Sequence, residues 1–217
     1  MFIWHQMASF VLVRENQECV IREMIWQNYT LKEMNKKRIS KGFWIWGQFD
    51  QQSSIEVDAI KEKSNNNLRG PEFESHITLS GPLLEVNKDT KKILKKISNE
   101  HHPFSIYSEG LDIKDMFFQS LFLKITKDKK LLTFKKIIDD RLNLKATEYF
   151  PHISLFYGNV TKEIKIKIMK ELDAPKELTL SSICIVDVDE EINLWKVIER
   201  FTLNNEECSI RIVIKKA

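Results

Sequence analysis

Pro151-His152-Ile153-Ser154-Leu155-Phe156-Tyr157-Gly158 reads as a short buried strand closed by a glycine, and its core repeats the form of His76-Ile77-Thr78-Leu79. Both segments run histidine, apolar, hydroxyl, apolar. Successive side chains in a strand point to opposite faces. His76 with Thr78, and His152 with Ser154, therefore stand on one face of their strands, while Ile77, Leu79, Ile153 and Leu155 enter a core. If the two strands are neighbours, two imidazoles and two hydroxyls converge on a volume the size of a phosphate.

Working outward, residues 42 onward alternate short apolar runs with charged segments of helical spacing, the pattern of an α+β or α/β domain. Strands are predicted at 43–49, 76–84, 104–113, 117–125, 152–157, 178–188 and 194–203, and helices at 54–64, 88–98, 129–143 and 161–172. Residues 63–71, with three successive asparagines and then Gly70-Pro71, read as a loop. Residues 1–41 do not follow the alternation. With a helix expected near 30–38, they form an N-terminal extension of unknown role ahead of a main domain at 42–217.

The 217 residues suffice for one medium domain, or two small lobes sharing a core. The chain is 42% hydrophobic and 30% charged, with 34 Lys+Arg against 31 Asp+Glu. That balance is too even for a protein that grips duplex nucleic acid through many phosphates, and it suits a small phosphate-bearing substrate. The lysine-rich stretches 88–96 and 162–170 read as solvated helix faces, with a basic substrate-facing surface as the alternative.

Cys19, Cys184 and Cys208 are odd in number and widely spaced, which argues against both a disulfide framework and a zinc site. The acidic run Asp187-Val188-Asp189-Glu190-Glu191 falls between two expected strands and reads as a turn. The N-terminus has no basic leader, and its longest purely apolar run, residues 10–13, is far too short to span a bilayer. A cytoplasmic protein with no metal, no cofactor and no membrane partner is expected.

Opening a phosphodiester requires a base to take a proton from the attacking oxygen and an acid to protonate the departing one. Histidine, with an ordinary pKa of about 6.5, serves either role near neutrality. The Thr78 and Ser154 hydroxyls can hydrogen-bond the non-bridging oxygens and stabilise charge in the transition state. A strand histidine satisfied by a backbone partner is the plainer reading of either motif alone; the repetition is what favours chemistry. His101 and His102 lack the following hydroxyl and are assigned no role.

These residues resemble the 2H phosphoesterase superfamily, and within it the plant and yeast 2′,3′-cyclic nucleotide phosphodiesterase branch. Pro151 to Gly158 looks like the second motif of that branch and Phe73-Glu74-Ser75-His76-Ile77-Thr78 like the first. Phe118-Gln119-Ser120 looks like a strand of the second lobe, and Trp44-Ile45-Trp46 like the opening strand. The likeness spans residues 42–203, with Ser75 where a proline would be expected.

The resemblance implies an α+β bilobal fold in which two antiparallel sheets line a central groove with helices outside. It implies His76 and His152 as catalytic acid and base, in that order. It also implies Thr78, Ser154 and Tyr157 as phosphate-binding residues and Trp46 beside the nucleoside, although Trp46 reads equally as a core aromatic. Tyr157 lies five residues after His152, so a bulge or strand end must bring it to the same face. The implied function is metal-independent hydrolysis of 2′,3′-cyclic phosphates, on nucleotides or RNA ends, to a phosphomonoester. The alternatives are a 2′,5′- or 3′,5′-phosphodiesterase acting on oligoadenylate, cyclic dinucleotide or RNA, and a nucleotide- or RNA-binding module without turnover.

Overall fold

Strands and helices alternate through residues 41–204 of a computed structural model, which describes that span apart from residue 146. The expected extension at 1–41, save Lys41, and its helix near 30–38 lie outside the described residues. In chain order the elements are β1 (Gly42–Phe49), α1 (Gln51–Leu68), β2 (Ile77–Leu83), α2 (Lys88–Glu100), β3 (Phe104–Ile113), β4 (Leu121–Ile125), α3 (Lys129–Arg141), β5 (His152–Phe156), α4 (Lys162–Met169), β6 (Glu177–Val188) and β7 (Lys196–Thr202). The fold is α+β.

All the strand pairs are antiparallel and join in the order β1-β2-β5-β4-β3-β6-β7, with a further pairing of β1 to β6. The twelve-residue β6 explains the closure. One edge pairs with β1 along residues 180–188. The other edge pairs first with β3 near Leu180 and then with β7 from Ser182 to Asp187. Two lobes result, β2-β1-β6-β7 and β5-β4-β3-β6, which share β6 and meet again where Ile77 pairs with Ile153. The two sheets expected from the sequence are thus one continuous seven-stranded system. Helix α1 packs on β5 and β1, α2 on β7 and β6, α3 on β2, and α4 on β3.

Helix α1 corrects one expectation. Asp50 caps its start, accepting a 2.8 Å hydrogen bond from the Ser53 amide. The helix then runs through the asparagines that read as a loop, ending at Arg69 with a left-handed φ of 51°. Val57, Ile60 and Ser64 are buried at helical spacing and Leu68 packs on the core. Burial along that stripe outweighs the weak helix preference of asparagine.

The strand expected at 117–125 is also interrupted, since Phe117–Gln119 form a 3-10 turn before β4. The Phe117 carbonyl accepts from the Gly158 amide at 3.1 Å and the Phe118 carbonyl from Ser154 Oγ at 3.1 Å. Those carbonyls are turned toward the motif strand instead of a ladder. Similarly, Ile192–Leu194 form a 3-10 turn ahead of β7.

Candidate active site

Strands β2 and β5 are hydrogen-bonded neighbours, and the pair Ile77↔Ile153 sets their register. Both isoleucines are fully buried. Continuing that antiparallel register places His76 opposite Ser154 and Thr78 opposite His152, all four on the face away from the isoleucines. Gly47 makes the close fit possible. It pairs with Ile77, and a Cβ there would lie 3.0 Å from Ile77 Cγ2 and 2.7 Å from Leu180 Cδ1.

The histidines are held in matching ways. Nδ1 of His76 donates to the Glu74 carbonyl at 2.7 Å, and Nδ1 of His152 donates to the Phe150 carbonyl at 2.9 Å. A carbonyl partner requires the proton on Nδ1, so Nε2 is the basic nitrogen of each neutral ring. Tyr149 ties the halves together, its hydroxyl donating to the Thr78 carbonyl at 3.1 Å while its neighbour Phe150 holds His152.

Tyr157 also reaches the cluster. Strand β5 ends at Phe156, which frees the next residue from strict alternation. Tyr157 is 4% exposed and shares a hydrogen bond with the Ser154 hydroxyl; burial pushes its phenol up, against that bond. Gly158 follows because a Cβ there would meet the Phe156 ring at 2.5 Å. Trp46 pairs across the sheet with Thr78 and stacks on His76, with ring centroids 3.5 Å apart and planes 5° from parallel. At 4% exposure its open face is covered by the histidine.

Residues 47–205 match the cyclic phosphodiesterase-like protein family. The chain belongs to that family. A cyclic phosphodiesterase of Arabidopsis thaliana is 21% identical over 170 residues, covering 74% of this chain and 94% of that one. Among solved structures, E. coli LigT complexed with 3′-AMP shares 11% identity at a TM-score of 0.51, covering 76% of this chain and 98% of LigT. A protein of Thermus thermophilus shares 15% identity at a TM-score of 0.51, covering 76% and 99% of the two chains. The chain is a phosphoesterase of the 2H superfamily, with the fold of that group.

Several residues around the motifs of this cyclic phosphodiesterase-like protein escaped the sequence reading. Phe73 stacks on Tyr157 at 4.0 Å, and Trp195 meets Trp46 at 5.7 Å and Tyr157 at 5.8 Å edge-on while lying along Phe118 at 6.1 Å. The Trp195 indole N–H donates to the Asp189 carbonyl at 2.9 Å. Two lysines add positive charge. Lys61 donates to the Phe73 carbonyl, and Lys114 sits 3.5 Å from the centre of the Phe150 ring and donates to Gln119 Oε1 at 2.8 Å. Lys61 had a legible signal, since it interrupts the apolar stripe of α1; Trp195 had none. Of the acidic run at 187–191, Asp187 and Val188 end strand β6, paired with β1, and only residues 189–191 turn away from it, where Glu190 pairs with Lys41 at 3.3 Å. Among the described residues, no group of three or more His, Cys, Asp or Glu is placed to hold a metal ion.

Burial pushes the His76 imidazole down to about 3, with His152 and Lys61 adding to the shift against the Glu74 carbonyl bond. Burial lowers His152 as well, with Lys114 contributing. In the unfolded chain both would titrate at about 6.5. As pH falls below that value the unfolded state takes up protons that the folded state refuses, so stability is full above about pH 6.5 and is lost progressively toward pH 3. The thermal midpoint of the wild type should drop across this window, and the drop should be shallower in His76→Gln. Parallel curves for the two proteins would refute the assignment.

Proposed function

We propose that this protein hydrolyses 2′,3′-cyclic phosphates, on a nucleotide or an RNA end, to a phosphomonoester by two-histidine acid–base catalysis without a metal. The observation that carries this reading is the β2–β5 register, which sets two imidazoles with basic Nε2 atoms around two hydroxyls. Water attacks phosphorus in line and gives its proton to one histidine. The bond from phosphorus to one ribose oxygen breaks, and the other histidine protonates that oxygen. Thr78, Ser154 and Tyr157 hold the non-bridging oxygens.

His76 is the more deeply buried of the two, and burial pushes its imidazole down to about 3. That favours His76 as the base and His152 as the acid, the reverse of the order the resemblance implies. An incoming phosphodiester anion would raise the pKa of the acid. Consequently kcat/KM, which reports free enzyme, should peak below pH 6.5, while the kcat optimum lies closer to neutrality. Trp46 serves as a positioning residue that fixes the His76 ring.

The half-buried Trp195, backed by Phe118, is the better platform for a base. Stacking of a base on an aromatic ring contributes about 1–3 kcal/mol. Trp195→Ala should therefore raise KM for a cyclic nucleotide about tenfold with kcat within about threefold. A change confined to kcat would remove Trp195 from the binding site.

Turnover of 2′,3′-cyclic nucleotides, compared with 2′,5′-oligoadenylate and 3′,5′-cyclic mono- and dinucleotides, all in EDTA, tests the proposal. Hydrolysis of the 2′,3′-cyclic class alone is expected. Turnover of only the 2′,5′ or 3′,5′ linkages would overturn the substrate assignment, and silence across the panel would overturn the activity. The cytoplasm is the proposed place of action, in keeping with the free, buried thiol of Cys184.

A further inference from the structure

Helix α1 buries an ammonium group against the segment that leads into β2. Lys61 lies four residues after Val57 and three before Ser64, on the face of α1 that packs inward, and is 8% exposed. A charge that deep is costly unless it is paired. Burial lowers the Lys61 ammonium, against the pull of Asp58, Glu74 and Glu72. Yet Asp58 already accepts from the Ser75 hydroxyl, and Glu74 from Gln48 and Arg200. The ammonium turns instead to Phe73, donating to its carbonyl and standing 4.1 Å from the centre of its ring.

Residues 69–76 have no regular structure, and they carry the carbonyl that orients a catalytic histidine. Lys61 and Asp58 stand one turn apart on α1 and grip this segment at two points. Lys61 takes the Phe73 carbonyl and Asp58 the Ser75 hydroxyl. Between those points the Glu74 carbonyl accepts from His76 Nδ1 at 2.7 Å. With planar peptides on both sides tethered, few dihedrals remain free to turn that carbonyl away.

The Phe73 ring reaches the other half of the site. Tyr157 stacks on it, with ring centroids 4.0 Å apart and planes 20° from parallel. At such distances the ammonium and the phenol ring cannot share one face, so Phe73 is held between them. Attraction of a cation to a ring face and stacking of the two rings both favour that arrangement. Tyr157 in turn shares a hydrogen bond with the Ser154 hydroxyl, and Phe73 meets the His76 ring edge-on at 6.3 Å.

We propose that Lys61 is a positioning residue for phosphodiester cleavage, holding His76 and Tyr157 in place at the phosphate site through the backbone and the ring of Phe73. It acts through Phe73 and needs no contact with substrate. The inference rests on the two-histidine reading for its reaction, but the orientation of His76 is measurable without turnover.

The test compares wild type with Lys61→Met and Lys61→Arg, by nitrogen-15 shifts of the histidine rings at neutral pH and by kinetics on a 2′,3′-cyclic nucleotide. Methionine keeps an apolar stem packed on α1 and removes the donor and the charge, so the fold should persist. In wild type His76 should carry its proton on Nδ1. In Lys61→Met it should become a mixture of tautomers, while His152, whose partner is the Phe150 carbonyl, should not change. Misplacement of reacting groups by about 1 Å can cost 10²-fold, so kcat should fall between about tenfold and 10²-fold with KM within about threefold. Arginine returns a donor and a charge and should recover most of both signals. An unchanged His76 tautomer in Lys61→Met, whatever its melting temperature, would overturn the inference, as would a changed tautomer with kcat within about twofold of wild type. If wild type shows no turnover at all, a His76 tautomer that depends on Lys61 supports the orienting role and overturns only the activity.

Discussion

His76→Gln and His152→Gln should each lower kcat/KM on a 2′,3′-cyclic nucleotide by about 10²–10⁴, the usual contribution of a positioned acid or base. At 1.36 kcal/mol per tenfold this corresponds to about 3–5 kcal/mol of transition-state stabilisation. Glutamine roughly preserves the volume packed against Trp46 and Phe122, so loss of activity should come without loss of fold. The double variant should be little worse than the poorer single one, because an acid and a base that act in one step fail together.

A substrate with a p-nitrophenolate leaving group separates the roles. Such a group departs without a proton, so the variant lacking the acid should recover much of its rate and the variant lacking the base should not. Recovery in His152→Gln alone supports His76 as the base; recovery in His76→Gln alone reverses the assignment. Activity indifferent to both substitutions would end the two-histidine mechanism.

Asp139→Ala should cost about 3–5 kcal/mol of stability, the range for removing one partner of a buried ion pair. On α3 the Asp139 carboxylate accepts from both Lys135 and Ser80, and the side chains of Lys135 and Asp139 are only 10% and 9% exposed. Without Asp139 the Lys135 ammonium is left in the interior beside the Tyr149 ring. Replacing both partners with apolar residues, as in Lys135→Met/Asp139→Leu, should recover most of the loss, because the desolvation cost disappears with the charges. Urea unfolding measures this as a shift in midpoint at constant slope. A cost under about 1 kcal/mol for Asp139→Ala would mean that the network does not secure α3 to β2. Ser80 is two residues from Thr78 on that strand and Tyr149 holds the Thr78 carbonyl, so kcat should fall with stability in Asp139→Ala.

The α+β class and the seven strands were legible because alternation and helical spacing are local properties of the chain. The same alternation placed His76 beside Thr78 and His152 beside Ser154 before any pairing was known. Where local preference and burial disagreed, burial prevailed. Asn65, Asn66 and Asn67 read as a loop, yet α1 continues to Leu68 because Val57, Ile60, Ser64 and Leu68 share one packed stripe. Phe117 and Phe118 read as strand, yet their carbonyls serve Gly158 and Ser154.

Residue pattern alone, then, established two matched strands, each with an imidazole and a hydroxyl on its outer face. It was silent on their meeting. That the strands pair at Ile77 and Ile153, that Trp46 lies flat on His76, and that Lys61, Lys114 and Trp195 surround them depends on contacts between segments distant in the chain. Such contacts follow from which apolar faces can be buried together, and no short window of sequence encodes that choice.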